Sequence, residues 1–293
     1  MADLAVKPLH GRFAVAINDL DLRDVRADYL YPEIRNAFEE HSLLLFRGQQ
    51  LDDESHTQLA KLFGPLENRE QLAGHDEPFK VSAVSNVESD GSLTPKEALR
   101  HLDQQANMLW HTDSTFLSTP ALVNLLMATV TPSTGGQTEF TTTRAAFDDA
   151  PAELQALLRC SFGVHQLTHS RNQVDARLID LPHVSRWPDR PWRFVWPNPI
   201  NGREAIYTAS HAYAVDGMSA DEGAAFVTDL LAHCTKPQYR YTHEWTVGDV
   251  LIWDERAVLH RGRPWPYDEP RTLKSICCSA TAADGLAAVQ GRA

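Results

Sequence analysis

The stretch Trp110-His111-Thr112-Asp113-Ser114-Thr115-Phe116 places a histidine and an aspartate two positions apart, and His260 follows far downstream. Two histidines and one carboxylate are the ligand set of non-haem Fe(II) centres, which leave coordination positions open for other molecules. Residues i and i+2 of an extended strand project from the same face. The stretch therefore predicts that His111 and Asp113 converge from one strand on a metal that His260 binds from another.

The chain around this stretch is rich in short strand signals. Apolar or alternating runs predict strands over 13–20, 43–46, 81–87, 122–130, 137–142, 162–169, 193–196, 205–207, 240–245, 250–253 and 272–279. Helical spacing predicts helices over 28–41, 52–63, 150–160 and 218–234. This pattern is typical of a mainly β fold, and we expect a double-stranded β-helix (jelly roll) core with peripheral α-helices. The mouth of such a core is a suitable place for a small-molecule pocket.

The length of 293 residues is compatible with one large domain or two small ones. We expect a single domain over residues 1–293, because no linker, repeat or low-complexity tract divides the chain. Polar segments near 64–80, 88–106 and 170–192 are predicted as loop insertions in that domain.

The charge balance excludes some kinds of partner. The net charge of -12 argues against nucleic acid, whose binding requires clustered basic residues. No apolar run reaches the ~20 residues that a membrane span needs, and we see no signal peptide at the N-terminus.

The four cysteines lack CxxC spacing, and the adjacent Cys277 and Cys278 would point to opposite faces of a strand. We therefore expect a soluble cytoplasmic enzyme with reduced thiols and with neither nucleic acid nor membrane as a partner.

Support for a metal centre is needed from elsewhere, because isolated His-x-Asp pairs are common at surfaces and the chain has 13 histidines. Arg271 lies eleven residues after His260, at the start of an apolar strand. A buried arginine needs an anionic partner, since an unpaired buried charge is very costly. A dicarboxylate cosubstrate would bind it through two parallel hydrogen bonds. A salt bridge with one of the 39 acidic residues is the alternative.

At this point the sequence resembles the taurine dioxygenase / 2,4-dichlorophenoxyacetate dioxygenase family of Fe(II)- and 2-oxoglutarate-dependent oxygenases. The resemblance covers most of the chain. Its motifs, in order, are GRFAVAINDLDL at 11–22, LLLFRGQQL at 43–51, LFGPLE at 62–67, WHTDSTF at 110–116, GGQT at 135–138, GDVLIWDERAVLHRGRPW at 248–265 and Pro270-Arg271. The full set, in this order and at the family's spacing, is highly specific.

The resemblance implies that His111, Asp113 and His260 are the catalytic metal ligands and that they hold Fe(II). It also implies a reaction in which dioxygen and 2-oxoglutarate give succinate, carbon dioxide and a hydroxylated small-molecule substrate. Ascorbate is expected to stimulate such an enzyme. A homo-oligomer is expected by analogy with relatives.

The resemblance also assigns residues to the cosubstrate. Thr138, which follows the double glycine, matches the family's threonine that binds 2-oxoglutarate. Arg271 matches the arginine that pairs with the distal carboxylate of 2-oxoglutarate. Trp245 lies fifteen residues before His260 and matches a tryptophan beside the cosubstrate.

Within the family, the chain looks most similar to dioxygenases that cleave aryloxyalkanoates, especially (S)-2-phenoxypropionates. The local matches are Asn107-Met108-x-Trp110-His111, Ser85-Asn86-Val87 and His211-Ala212-x-Ala214. They imply an ether that is hydroxylated beside its oxygen and then collapses to a phenol and a keto acid. Asn107 and His211 are the substrate-binding candidates.

One position departs from the family pattern. Taurine dioxygenase holds the substrate's sulfonate with a second arginine, four residues beyond the cosubstrate arginine. Here that position is Ser275, and Lys274 points to the opposite strand face. The substrate anion must therefore be held by another residue, with His211, Arg240 and the loops at 64–80 and 88–106 as open alternatives.

Two other functions stay open at this stage. One is an oxygenase of the same fold that hydroxylates an amino acid or a natural-product intermediate. The other is a zinc-binding jelly roll without oxygenase activity, because two histidines and an aspartate also bind Zn. Metal exchange separates these readings, since iron restores an oxygenase and zinc does not.

Overall fold

The computed structural model describes residues 4–290. Its strands are β1 (Ala5–Pro8), β2 (Val15–Asn18), β3 (Leu43–Phe46), β4 (Ser82–Ser85), β5 (Ala121–Val130), β6 (Thr138–Thr142), β7 (Phe162–His165), β8 (Arg190–Arg193), β9 (Val195–Pro197), β10 (Glu204–Ile206), β11 (Ala212–Val215), β12 (Arg240–His243), β13 (Val250–Asp254), β14 (Val258–Gly262) and β15 (Thr272–Ser279).

The helices lie mostly in the connections between these strands. They are α1 (Tyr31–His41), α2 (Asp53–Phe63), α3 (Arg69–Leu72), α4 (Leu99–Gln105), α5 (Thr143–Asp148), α6 (Ala152–Cys160), α7 (Leu167–Asn172), α8 (Pro182–Ser185), α9 (Ala220–Cys234) and α10 (Leu286–Val289). Short 3-10 turns span Leu22–Asp24, Ala106–Met108, Ala176–Asp180, Pro237–Tyr239 and Ala282–Asp284. No helix within residues 4–290 is long and apolar enough to cross a membrane.

A seven-stranded sheet dominates the fold, with the strand order β1-β2-β3-β13-β5-β15-β4. Its neighbouring strands run antiparallel except for the parallel pair β2 and β3. Strands β3 and β13 are buried on both faces, which explains why their sequences are continuous apolar runs rather than alternating ones. Helices α1 and α2 cover one face, where Phe38 and Phe63 pack in a cluster with Leu44 and Ile252.

A three-stranded sheet, β12-β6-β14, packs on the other face of the large sheet. Phe140 of β6 and Trp253 of β13 belong to one buried cluster, with their ring centroids 5.3 Å apart. From β12 onward the chain alternates between the two sheets, since β12 and β14 belong to the small sheet, and β13 and β15 to the large one. Smaller sheets, β11-β7-β8 and β10-β9, lie outside this pair.

A buried ionic cluster closes the connection between β13 and β14. Arg256 bonds both oxygens of Asp254 and an oxygen of Glu39, and Arg144 also reaches Asp254. All four side chains are nearly inaccessible to solvent. Since buried charges are tolerated only when paired, this cluster holds residues 255–257 in one conformation between the two sheets.

Most predicted elements are present, and α2 starts with Asp52 as its N-cap. Three local predictions were wrong. The His-x-Asp stretch is not a strand: His111 forms an isolated bridge with His260, and Asp113 lies in a turn. His169 lies on α7, because the strand predicted over 162–169 ends at His165. The segments near 64–80, 88–106 and 170–192 contain the short helices α3, α4, α7 and α8 instead of loop alone.

Candidate active site

The three predicted metal ligands lie close together between the two sheets. The backbones of His111 and His260 exchange hydrogen bonds of 3.0 and 2.7 Å, and this pairing sets their rings 4.1 Å apart. Asp113 Oδ1 lies 3.9 Å from His111 Nε2, and Oδ2 lies 3.9 Å from His260 Nε2. The ligand atoms lie within 4.8 Å of one another. These separations are too long for hydrogen bonds, and two nitrogens with one carboxylate fit a divalent metal with open positions.

The protonation states also suit metal binding, which requires neutral imidazoles and an ionised carboxylate. Burial lowers the pKa of His260 to about 3 and lowers the pKa of His111 as well. Burial opposes ionisation of Asp113, but the facing His260, followed by His111, holds the pKa of this carboxyl below its ordinary value. His111 Nδ1 donates to the carbonyl of Leu109 at 2.8 Å, which leaves Nε2 free for a metal.

The turn that carries Asp113 is fastened from the connection after β13. The amide of Asp113 donates to Glu255 Oε2 at 2.9 Å, and the hydroxyl of Thr112 lies 2.6 Å from the same oxygen. Burial, and then the nearby Asp113, raises the pKa of Glu255 well above its ordinary value. The turn thus has a defined conformation although it belongs to no sheet.

A cavity of about 750 Å³ opens over the three ligands. Thr138, Asn107 and Arg271 line it together with them. Its walls also include large apolar side chains, among them Leu126 and Trp253. A volume of this size suits a small organic molecule.

Arg271 is a buried cation that faces this cavity. Only 4% of the residue is exposed, and burial lowers the pKa of its guanidinium to about 10. Its Nη2 donates to the carbonyl of Gly136 at 2.9 Å, and the group lies 5.0 Å from the ring centroid of Trp265. Within residues 4–290 no carboxylate oxygen lies within ion-pair distance of it, so the salt-bridge alternative is not observed. The site offers a positive charge for a small anion.

The double glycine before Thr138 allows this arrangement. Gly136 has a φ of 67°, and a Cβ there would lie only 3.0 Å from Arg271 Nε. A side chain at this position would therefore push the guanidinium away from the backbone carbonyl it bonds. Thr138 follows at the start of β6, and its hydroxyl accepts a 2.9 Å hydrogen bond from Trp245 Nε1. Trp245 is not among the residues that line the cavity.

The residues considered as binding partners of the substrate anion differ in whether they line the cavity. His211 is buried, with Nδ1 2.8 Å from Ser170 Oγ, and it lies outside the cavity lining, as does Arg240. Arg69, from the predicted 64–80 loop, lines the cavity instead. Its guanidinium donates to Glu67 at 2.6 Å and to Ser114 Oγ at 3.1 Å, beside the turn of Asp113.

Sequence reasoning missed three residues at this site: Arg69, Asn124 and Glu255. Asn124 donates from Nδ2 to Asp113 Oδ2 at 2.7 Å. Its signal was available, because it is the one amide in the apolar strand β5. Glu255 lies within the recognised motif at 248–265, and Arg69 within the predicted loop at 64–80, but no periodic pattern marked either residue.

Two histidines and an aspartate that could hold a metal lie beside a buried arginine with no carboxylate partner among residues 4–290, in a mainly β fold with peripheral helices. This combination is the one expected of a 2-oxoglutarate-dependent dioxygenase, and the relatives of the chain bear this class out. The chain belongs to the family described as Taurine catabolism dioxygenase TauD, TfdA family, whose profile matches residues 5–277. This confirms the family resemblance seen in the sequence.

The relatives are similar over nearly the whole chain. An alpha-ketoglutarate-dependent 2,4-dichlorophenoxyacetate dioxygenase from Cupriavidus pinatubonensis is 34% identical and covers 92% of this chain and 96% of its own length. An (S)-phenoxypropionate/alpha-ketoglutarate-dioxygenase from Sphingobium herbicidovorans is 30% identical, with 92% of each chain covered. The crystal structure of AAD-2 in complex with Mn(II) and N-oxalylglycine has a TM-score of 0.88 at 30% identity, and the match covers 96% of this chain and 98% of AAD-2.

Proposed function

We propose that this chain is an Fe(II)- and 2-oxoglutarate-dependent dioxygenase that hydroxylates an aryloxyalkanoate and thereby cleaves its ether bond. The observation that carries this proposal is the buried Arg271, which has no carboxylate partner in the described part of the chain and lies in the same cavity as His111, Asp113 and His260. One cavity then holds a place for a metal and a place for a dicarboxylate. The names of the similar dioxygenases support the substrate class.

In this proposal Fe(II) is held by His111, Asp113 and His260. The bound metal supplies activation of dioxygen coupled to the oxidative decarboxylation of 2-oxoglutarate. Burial keeps both imidazoles neutral, whereas the carboxylate stays ionised against the effect of burial because the groups that face it lower its pKa. The side chains that line the cavity would hold the substrate and orient its reacting C–H bond toward the three ligands.

The cosubstrate is held at its far end. Arg271 pairs with the distal carboxylate of 2-oxoglutarate, which offsets the cost of burying the guanidinium. The hydroxyl of Thr138 is oriented by Trp245 Nε1, so that its proton is free to donate to the same carboxylate. Trp245 thus acts through Thr138 from outside the cavity.

The substrate anion is assigned to Arg69. This cation lines the cavity and bonds Ser114, one residue beyond the metal ligand Asp113. Asn107 also lines the cavity and stays a predicted substrate contact, and His211, which lies outside the cavity lining, remains a prediction as well. Hydroxylation of the carbon between the carboxylate and the ether oxygen gives a hemiketal or hemiacetal. Its collapse breaks the C–O bond and leaves a phenol and a 2-keto acid.

The finer description of the fold belongs to the same proposal. The alternation of β12, β13, β14 and β15 between two packed sheets supports a double-stranded β-helix. We keep the single domain over 1–293 as a prediction, with residues 1–3 and 291–293 outside the described part. A homo-oligomer in the cytoplasm, with no nucleic acid or membrane partner, likewise remains a prediction.

Succinate formation tests the function. The protein is given Fe(II), 2-oxoglutarate, oxygen and ascorbate, with and without each enantiomer of 2-phenoxypropionate. We expect one enantiomer to stimulate succinate release strongly and to yield one phenol per succinate. Slow succinate formation that ignores both enantiomers would leave the dioxygenase and reject the substrate, in favour of an amino acid or natural-product intermediate.

Metal exchange tests the chemistry separately from the substrate. Apo-protein should regain 2-oxoglutarate turnover with Fe(II), whereas Zn(II) should occupy the same ligands and inhibit. Activity restored by zinc and independent of 2-oxoglutarate would contradict the oxygenase. It would favour the zinc-binding alternative.

A further inference from the structure

Ser275 occupies the position at which taurine dioxygenase has a second arginine. In this structure the side chain of Ser275 contacts a neighbouring strand. Strand β15 directs Lys274 outward, to an ion pair with Asp53 on α2. Ser275 points the other way, is buried and lines the cavity. Its hydroxyl donates to Asn124 Oδ1 at 2.9 Å.

Asn124 passes this contact on to the metal ligand. It lies on β5, next to β15 in the large sheet, and its Nδ2 donates to Asp113 Oδ2 at 2.7 Å. The direction of each bond is determined, because an amide oxygen and a carboxylate can only accept while the amide nitrogen can only donate. The chain of hydrogen bonds therefore runs from Ser275 through Asn124 to Asp113.

Asp113 is held from a second side through its backbone. Its amide donates to Glu255 Oε2, which comes from the connection between β13 and β14. The bond from Asn124 restricts the rotation of the carboxylate, together with a longer contact of 3.6 Å from the Cys277 thiol to the same oxygen, and the bond to Glu255 fixes the turn that carries it. The sheet strands β5 and β15 are rigid supports for this purpose, whereas the turn itself has no strand partner.

We propose that Ser275 and Asn124 are positioning residues that orient the carboxylate of Asp113 for metal binding. The inference rests on the proposed metal role of Asp113, but not on the identity of the substrate. Hydrogen-bond partners of metal ligands typically change metal affinity by about 10–100-fold when they are removed. Ser275 acts through Asn124, so its removal should have the smaller effect.

Metal binding to the apo-protein tests the positioning role of Ser275 and Asn124 without any turnover. Co(II) is titrated into the full chain, with calorimetry for the Kd and visible absorption for the ligand environment. Asn124→Leu should weaken Co(II) binding by about 10–100-fold and change the Co(II) spectrum. Ser275→Ala should weaken it by about 3–10-fold, as expected for loss of one neutral hydrogen bond.

Two further variants separate positioning from a general structural effect. Ser275→Thr keeps the hydroxyl and should bind Co(II) nearly as the wild type does. Ser279→Ala removes a hydroxyl from the same strand outside the cavity lining and should leave the Kd unchanged. Thermal unfolding of each apo-protein shows whether it is folded, and Ser275→Ala decides the matter if Asn124→Leu does not fold.

If folded Ser275→Ala keeps the Co(II) affinity and spectrum of the wild type, the proposed positioning role is wrong. Equal weakening in Ser275→Ala and Ser275→Thr would overturn it too, because the hydroxyl would then be irrelevant. Failure of the substrate proposal would look different: Co(II) binding would follow the expected order while 2-phenoxypropionate gave no phenol.

Discussion

Replacing Arg271 by methionine should weaken cosubstrate binding without destabilising the protein. Burial lowers the pKa of the guanidinium from 12.5 to about 10, so holding the charge costs on the order of 3 kcal/mol, since one pKa unit is worth about 1.4 kcal/mol. The lost bonds to Gly136 contribute about 1–3 kcal/mol in the opposite direction. The two effects nearly cancel, and we expect the free energy of unfolding of the apo-protein to change by less than about 1 kcal/mol.

Cosubstrate binding should respond very differently, because a dicarboxylate loses its charged partner. We expect a loss of about 2–5 kcal/mol, or a roughly 30- to several-thousand-fold weaker Kd. Calorimetry with 2-oxoglutarate on Mn(II)-loaded protein without oxygen measures it. Arg263→Met is the matched control, since Arg263 lines the same cavity but is half exposed and 3.9 Å from Glu139. An unchanged Kd in Arg271→Met, or a loss of several kcal/mol of apo stability, would refute the reasoning.

The remaining predictions concern the substrate, the cosubstrate and the stability of the fold. Arg69→Gln should raise the KM for a phenoxypropionate by about 10-fold or more and leave the 2-oxoglutarate Kd nearly unchanged; an unaltered KM in steady-state assays would assign the anion elsewhere. Thr138→Val should weaken 2-oxoglutarate by about 1–2 kcal/mol in calorimetry, whereas Thr141→Val on the same strand should not. Arg256→Met should lower the free energy of urea unfolding by about 3–5 kcal/mol, whereas the exposed Arg23→Met should leave it nearly unchanged. Burial lowers the pKa of His165 to about 3. As the pH falls below 6.5, His165 therefore binds a proton in the unfolded chain but not in the folded one, and this destabilises the fold. His165→Leu should therefore reduce the stability lost between pH 6.5 and 5 by about 2 kcal/mol, and an equal loss in both proteins would show that His165 is not buried as a neutral ring.

Local patterns predicted the elements that pack on both sides. The run Leu43–Phe46 is a buried strand because α1 and α2 cover one of its faces and the small sheet covers the other. The helix predicted over 52–63 is also present, as Asp53–Phe63. The prediction failed at Asp113, where period-two spacing suggested a strand and the structure has a turn. Two residues cannot distinguish these conformations, since both can bring a histidine and an aspartate to the same point.

The residues of the cavity likewise include some that the sequence predicted and others that it did not. His111, Asp113, His260 and Arg271 were predicted as one site from their spacing and the family resemblance, and the structure brings all four to one cavity. Arg69 was only one of many residues in a loop left open. Its position depends on the fold of α3 against the turn after Asp113.

The sequence by itself determined the buried strands and the family, and it predicted which residues would bind a metal, because these depend on side-chain chemistry and on periodicities within a few residues. The tertiary structure decided what surrounds Asp113. Asn124, Glu255 and Ser275 lie 11, 142 and 162 positions from it along the chain, and the sheet register and the β13–β14 connection bring them together. No local pattern encodes such contacts, because the hydrogen bonds form only after the hydrophobic burial of β5, β13 and β15 has set these strands side by side.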